Sequence, residues 1–334
     1  MDYLLTEQQV MVRDLARNIA REKIKPVAAK YDETEEFAWD IMKILADSDL
    51  FGVYIPEQYG GLGGGIMEMC LVTEELSKAC GGIALGFAGT GLGTFPILLY
   101  GSDEQKKKYL PDIAKGETLA AFCITEAEAG SDAGSIKTNA KKDGGHYILN
   151  GAKQWITNAG EAEIYTVIAI TNKSKGARGA SAFIVEKGTK GMEFGQKEKK
   201  LGIRASATRE VIFTDCKIPK ENLISKEGMG FIVAMKTFDN SRPGVAAQAV
   251  GIAQGAFDVA LDGPHRFVVF KSMADHEFTF MFLGEAKQFF CLFNIHGQRF
   301  FNQDMIIVFQ RFFSKLKMCR GRGGDHNRIE GTVQ

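Results

Sequence analysis

The sequence predicts an α+β protein: a helical first third, a β middle and a return to helix. Three observations predict it. Apolar residues recur at helical spacing up to about Gly116. Between Thr118 and about Glu210 the pattern turns to short apolar runs bounded by turn residues. From Phe231 to Leu261 an alanine-rich run resumes the helical period. The predicted domains are therefore 1–117 (α), 118–226 (β, as a small barrel or two packed sheets) and 227–334 (α, atypical after about 262).

Each element has a local signal. Thr6-Glu-Gln-Gln9 is a capping box that opens a first helix, and Pro26 limits it. A second helix is expected over Ala38–Ala46. Ile55–Gly65 is a glycine-rich loop, and Met67–Ala79 reads as helix again. Gly89-Thr-Gly-Leu-Gly93 resembles a dinucleotide fingerprint, but no strand precedes it, so it reads as a glycine-tolerant buried helix. Ser102-Asp-Glu-Gln105 caps a helix ending near Lys115–Gly116. Strands are expected at 120–125, 135–141, 146–150, 165–170, 181–186 and 210–213, with Asp143-Gly-Gly145 as a hairpin turn. Gly228-Met-Gly230 opens the last helical stretch, in which Pro243 is expected to start a fresh helix. Residues 263–334 differ from the rest: they hold thirteen of the 24 Phe and four of the five His, with poor periodicity.

Length and composition narrow the function. The 334 residues are 45% hydrophobic and 25% charged, enough for a sizeable core. A formal net charge of +0 argues against a nucleic-acid or membrane partner recognised by global charge. No run of about eighteen consecutive apolar residues is present, so no membrane span is expected. The first residues lack the basic flank and apolar core of a signal peptide, and a cytoplasmic location is the expectation. The six cysteines are scattered without a Cys-x-x-Cys pair, so neither metal nor disulfide is implied.

The chemistry concentrates in two stretches. Phe122-Cys-Ile-Thr-Glu-Ala-Glu-Ala-Gly-Ser-Asp132 runs from an apolar strand into a Gly-Ser-Asp turn. Gln154-Trp-Ile-Thr-Asn158 reads as a second turn. Together they supply backbone amides, hydroxyls and one large aromatic face, an inventory suited to a flat, polar-edged, anionic ligand. Glu126 and Glu128 could suggest a catalytic carboxylate pair, but a loop-lining role is preferred.

In this order, the two stretches resemble the flavin-binding signatures of acyl-CoA dehydrogenases. Tyr54-Ile-Pro-Glu-Gln-Tyr-Gly-Gly61, Lys200-Leu-Gly-Ile-Arg-Ala-Ser206 and Asp239-Asn-Ser-Arg-Pro-Gly-Val-Ala-Ala247 extend the resemblance to about Leu261. It implies a short- or medium-chain, butyryl-CoA dehydrogenase-like enzyme with a C-terminal helical bundle, here incomplete. It further implies FAD, a homotetramer, and oxidation of an acyl-CoA to trans-2-enoyl-CoA. An electron-transferring flavoprotein would accept the electrons. By resemblance, Phe122, Ile124, Thr125, Gly130, Ser131, Trp155, Ile156 and Thr157 contact the flavin, with the Thr157 hydroxyl near N5. Ser131, Asp239 and Arg242 contact substrate, Arg242 suiting the phosphates of coenzyme A.

Beyond Leu261 the pattern breaks. Arg266-Phe-Val-Val-Phe-Lys271 only blurs the family's Arg-x-x-Phe-Gly-Lys element. Glu330-Gly-Thr332 matches part of its Tyr-Glu-Gly-Thr motif, which makes Glu330 the candidate base. The alternative is a family remnant, inactive or flavin-poor, acting only as a binding or structural protein.

Overall fold

The computed structural model describes residues 4–262. Helix α1 (Glu7–Ile19) begins at the expected capping box: Thr6 Oγ1 accepts from the Gln9 amide, and the Thr6 amide donates to Gln9 Oε1. One π-helical turn (Ala20–Ile24) follows before Pro26. Helices α2 (Ala28–Thr34), α3 (Trp39–Asp47), α4 (Ile66–Ala79), α5 (Gly81–Tyr100) and α6 (Asp103–Ala114) complete the first third. α6 is opened by the Ser102–Gln105 capping box.

The glycine run that mimics a dinucleotide fingerprint lies in the middle of α5, as a buried helix. Its glycines let strands come close. A Cβ on Gly93 would lie 2.5 Å from the Ala121 amide nitrogen, and one on Gly89 2.8 Å from Thr157 Cγ2.

Eight strands follow: β1 (Ala120–Cys123), β2 (Asn139–Asp143), β3 (His146–Thr157), β4 (Ile164–Ile170), β5 (Ala180–Glu186), β6 (Met192–Lys197), β7 (Thr208–Pro219) and β8 (Leu223–Ile224). They run in the order β6-β7-β3-β2-β4-β5-β8, with β1 parallel to β4. A single residue pair, Asn139 with Ile170, joins β2 to β4, so two sub-sheets meet at a corner. β4 and β5 are buried along almost their whole length, as central strands covered on both faces are. β2 and β3 pair across Gly144-Gly145, as the hairpin signal predicts. Strands β6 and β8 were not legible: β6 mixes charge with apolar residues, and β8 is two residues long.

Two expectations are corrected. Trp155–Thr157 is not a turn; β3 continues through Thr157, and the turn starts at Asn158 with φ +63°. Pro243 does not start a helix either, because α7 (Gly230–Asp262) runs through it. An interior proline costs about 3 kcal/mol, and close packing on α4 offsets it. Gly251 and Gly255 bring α7 so near that a Cβ on them would lie 2.3 Å from Glu74 O and 2.1 Å from Lys78 O. Gln248 Nε2 also donates to Gly81 O at 2.9 Å.

Helices α5 and α7 are also long and apolar enough, by length and composition, to cross a membrane, which the search for consecutive apolar residues missed. The apolar window of α5 is 72% buried in the protein's own core. The rest of the expected bundle, Arg266, Lys271 and the candidate base Glu330 lie outside the described residues.

Candidate functional site

The site is built where β1 ends beside β3. The Gln154 amide donates to Thr125 O at 2.8 Å, which ties the Phe122–Thr125 segment to the Trp155–Thr157 segment. Opposite Glu210 of β7, strand β3 carries two residues, Gln154 and Trp155, so the ladder bulges between Lys153 and Ile156. Trp155 takes φ +55° at this bulge, a left-handed conformation that a bulky residue adopts only under constraint. The bulge turns its indole outward, leaving it 55% exposed. Ile156 points into the core, and Thr157 is half-buried.

Phe122 and Ile124 are buried, and Thr125 is half-buried. The hydroxyls of Thr125 and Thr157 have no hydrogen-bond partner among the described residues. Gly130 and Ser131 are exposed on the loop that follows, and their amides likewise find no acceptor there. A Cβ at Gly130 would meet nothing within 4 Å among the described residues. An outward indole, two unpaired hydroxyls and two unpaired amides fit the FAD that the resemblance implies. The aromatic face suits a flat ring, the hydroxyls its polar edge and the amides a phosphate.

The third segment reaches the same place through aromatic contacts. Phe238 of α7 meets Phe122 edge-on, with ring centroids 5.7 Å apart. The guanidinium of Arg242 lies 5.7 Å from the Phe238 ring. Arg242 and Asp239 are both largely exposed and 4.0 Å apart, too loosely paired in water to neutralise the cation. Arg242 thus presents positive charge one ring away from Phe122.

Residues that sequence reasoning did not assign to the site hold it together. Lys153 is fully buried; its Nζ donates to Ile124 O at 3.1 Å and to Glu126 Oε1 at 2.7 Å. Glu126 also accepts from the amides of Lys137 (2.6 Å) and Thr138 (3.0 Å). Burial alone would raise the Glu126 carboxyl, but the Lys153 ammonium and these donors hold it below the usual carboxylate value. Burial pulls the Lys153 ammonium down despite Glu126. Glu128 instead pairs with Lys137 on the surface, so the two glutamates are no acid pair and Glu126 does line and fasten the loop. Asn158 is the other unassigned residue: its amide donates toward Gly86 O (3.0 Å), Thr90 Oγ1 (3.2 Å) and Ala120 O (3.3 Å). The available signal was a lysine inside an apolar strand, with a glutamate just beyond a second one.

Comparison with known proteins identifies the family. Family models match in order: acyl-CoA dehydrogenase N-terminal domain over residues 6–117, middle domain over 121–216 and C-terminal domain over 228–279. The chain is 47% identical over 262 residues to a short-chain specific acyl-CoA dehydrogenase of Clostridium acetobutylicum, covering 78% of this chain and 69% of that one. It is 43% identical over 272 residues to an acryloyl-CoA reductase (NADH) of Anaerotignum propionicum, covering 81% of this chain and 69% of that one. Butyryl-CoA dehydrogenase from Megasphaera elsdenii superposes with a TM-score of 0.77 at 40% identity, over 81% of this chain and 72% of that one. A chain in a structure of the electron transferring flavoprotein of Acidaminococcus fermentans does so with a TM-score of 0.78 at 44% identity, over 79% and 70%. The fold, the order of the three segments and these matches together make this chain a member of the acyl-CoA dehydrogenase family.

Proposed function

We propose that this chain binds FAD and dehydrogenates a short-chain acyl-CoA between Cα and Cβ to the trans-2-enoyl-CoA. The observation that carries it is the bond from Gln154 N to Thr125 O, which sets the outward Trp155 and the unpaired Thr157 hydroxyl on a segment tied to the unpaired Thr125 hydroxyl. Bound FAD supplies the hydride acceptor, a redox step that no side chain here can perform. Trp155 would offer its exposed indole to the ring, with Phe122, Ile124 and Ile156 as the apolar packing behind the segments that hold it. Thr125 and Thr157 hold its polar edge. Gly130 and Ser131 offer amides to its diphosphate. Ser131, Asp239 and Arg242 orient the acyl-CoA, with Arg242 facing phosphate. Glu330 would take the α-proton. An electron-transferring flavoprotein is the proposed acceptor and a homotetramer the proposed assembly, the first supported by the likeness to the Acidaminococcus structure.

The test is anaerobic addition of butyryl-CoA to FAD-loaded protein, followed by its visible spectrum. Bleaching of the flavin band is expected, and Glu330→Gln should abolish it. A flavin band that persists in the parent protein overturns the dehydrogenase reading and favours the binding remnant. The five large apolar residues exposed on α7 (Ile232, Val245, Ile252, Val259 and Leu261) would suit that remnant.

Trp155 gives a second prediction. Asn tolerates the left-handed conformation far better than Trp, so Trp155→Asn should raise the stability of the flavin-free protein by about 1 kcal/mol. The same variant should bind FAD more weakly, having lost the aromatic face. Urea denaturation of apo-protein and an FAD titration check the two halves separately.

A further inference from the structure

The Lys153–Glu126 pair lies between the two segments of the proposed flavin site and does more than fill the core. From β3, Lys153 reaches across to Ile124 O, the carbonyl just before Thr125. Two residues along β3 is Trp155, on the bulge. One ammonium is therefore bonded to the segment that carries Phe122, Ile124 and Thr125, and is itself part of the segment that carries Trp155, Ile156 and Thr157.

Glu126 continues the connection. Its carboxylate accepts the amides of Lys137 and Thr138, while its own backbone exchanges bonds with Ala129, Glu126 N to Ala129 O and Ala129 N to Glu126 O, both at 3.1 Å. The residues between these anchors include Gly130 and Ser131. Glu126 thus fastens both ends of the loop whose amides face the proposed diphosphate. Each oxygen of the carboxylate is occupied by protein donors, and the ammonium is fully buried, so neither group is available to act as an acid or base on substrate.

We propose that Lys153 is a positioning residue for the flavin: through Ile124 O and Glu126 it holds the Phe122–Thr125 segment, the Trp155 bulge and the Gly130–Ser131 loop in one fixed arrangement. This rests on the flavin reading of the same site. A buried charge that loses its partner is strongly unfavourable, whereas losing both charges together is far milder. Lys153→Met cuts the tie to Ile124 O and leaves the Glu126 carboxylate without its cation, which loosens its hold on the Lys137 and Thr138 amides; Glu126→Gln with Lys153→Met removes both charges.

The experiment uses the full chain in three forms: parent, Lys153→Met and the double variant. Three quantities are read: FAD affinity by titration of apo-protein, visible circular dichroism of the flavin at saturating FAD, and hydrogen exchange of the segment holding the Lys137 and Thr138 amides without FAD. For Lys153→Met we expect affinity weakened about tenfold or more, an altered flavin dichroism even at saturation, and faster exchange over that segment. The double variant should regain part of the affinity while its dichroism stays altered, because the tie to Ile124 O is still missing. If either variant at saturation gives the parent's dichroism, the positioning role is overturned and the pair is only a fold contact. If Lys153→Met does not fold, the double variant decides by the same readout. If the parent itself takes up no FAD, the flavin reading fails on its own. Exchange then judges the clamp: unchanged rates in both variants overturn it.

Discussion

Asn158→Asp is expected to destabilise the folded protein by about 4 kcal/mol at neutral pH, among the largest effects of any near-isosteric change in this chain. The Asn158 side chain is completely buried, and its Nδ2 is directed at three acceptors: Gly86 O, Thr90 Oγ1 and Ala120 O. An introduced carboxylate has the same shape but no donor. It would set negative charge against three oxygens, with no cation among its hydrogen-bond partners in the described residues. The introduced carboxyl would therefore be protonated in the folded state at a pH where the unfolded chain has already ionised it. With the folded pKa raised, the variant's deficit grows as pH rises above the unfolded carboxylate value and shrinks as pH falls toward it. Asn158→Ala removes the donors without adding charge, and also puts alanine at φ +63°, so a loss of about 3 kcal/mol is expected without that pH dependence. Urea denaturation of both variants from mildly acidic to neutral pH separates the two terms. A deficit for Asn158→Asp that does not change with pH would mean that water reaches the site.

Asn158 also marks the limit of what the sequence could reveal. The capping boxes at Thr6 and Ser102 were legible because each is complete within four residues, and the structure realises both. The Gly144-Gly145 turn was legible for the same reason. The bulge at Trp155 was not: it depends on β7, which pairs Val211 and Arg209 with Lys153 and Ile156 from far along the chain. Nor was the continuity of α7 through Pro243. Local rules break a helix there, and only packing against α4 overrides them. The resemblance could name the candidate flavin residues together because they lie on two continuous segments. The groups that hold those segments, Lys153, Glu126 and Asn158, act across distant strands and helices, and their residue types alone suggest surface positions.

The glycines of α5 carry the last prediction. Gly93→Ala is expected to destabilise the protein by about 3 kcal/mol, although alanine is the better helix former by about 1 kcal/mol. The added Cβ would lie 2.5 Å from Ala121 N and 2.7 Å from Ala120 C. Both are backbone atoms of β1, and β1 is held at its edge by its pairing with β4. Thr166 of β4 in turn donates its hydroxyl to Gly93 O at 2.9 Å, so helix and strands cannot part without breaking that bond. Gly244→Ala in α7 makes the opposite case. Among the described residues its Cβ would meet only the terminal carbon of Met69, at an ordinary 3.5 Å. Here the helix-propensity gain stands alone, and stability should rise by about 1 kcal/mol. Chemical denaturation of the two variants is a paired test, since propensity alone would stabilise both. Because β1 leads directly into Ile124 and Thr125, a shifted β1 should also weaken FAD binding in Gly93→Ala, while Gly244→Ala leaves it unchanged. A stable Gly93→Ala protein would mean that β1 can move away from α5, and that the proposed flavin edge is not rigidly seated on that helix.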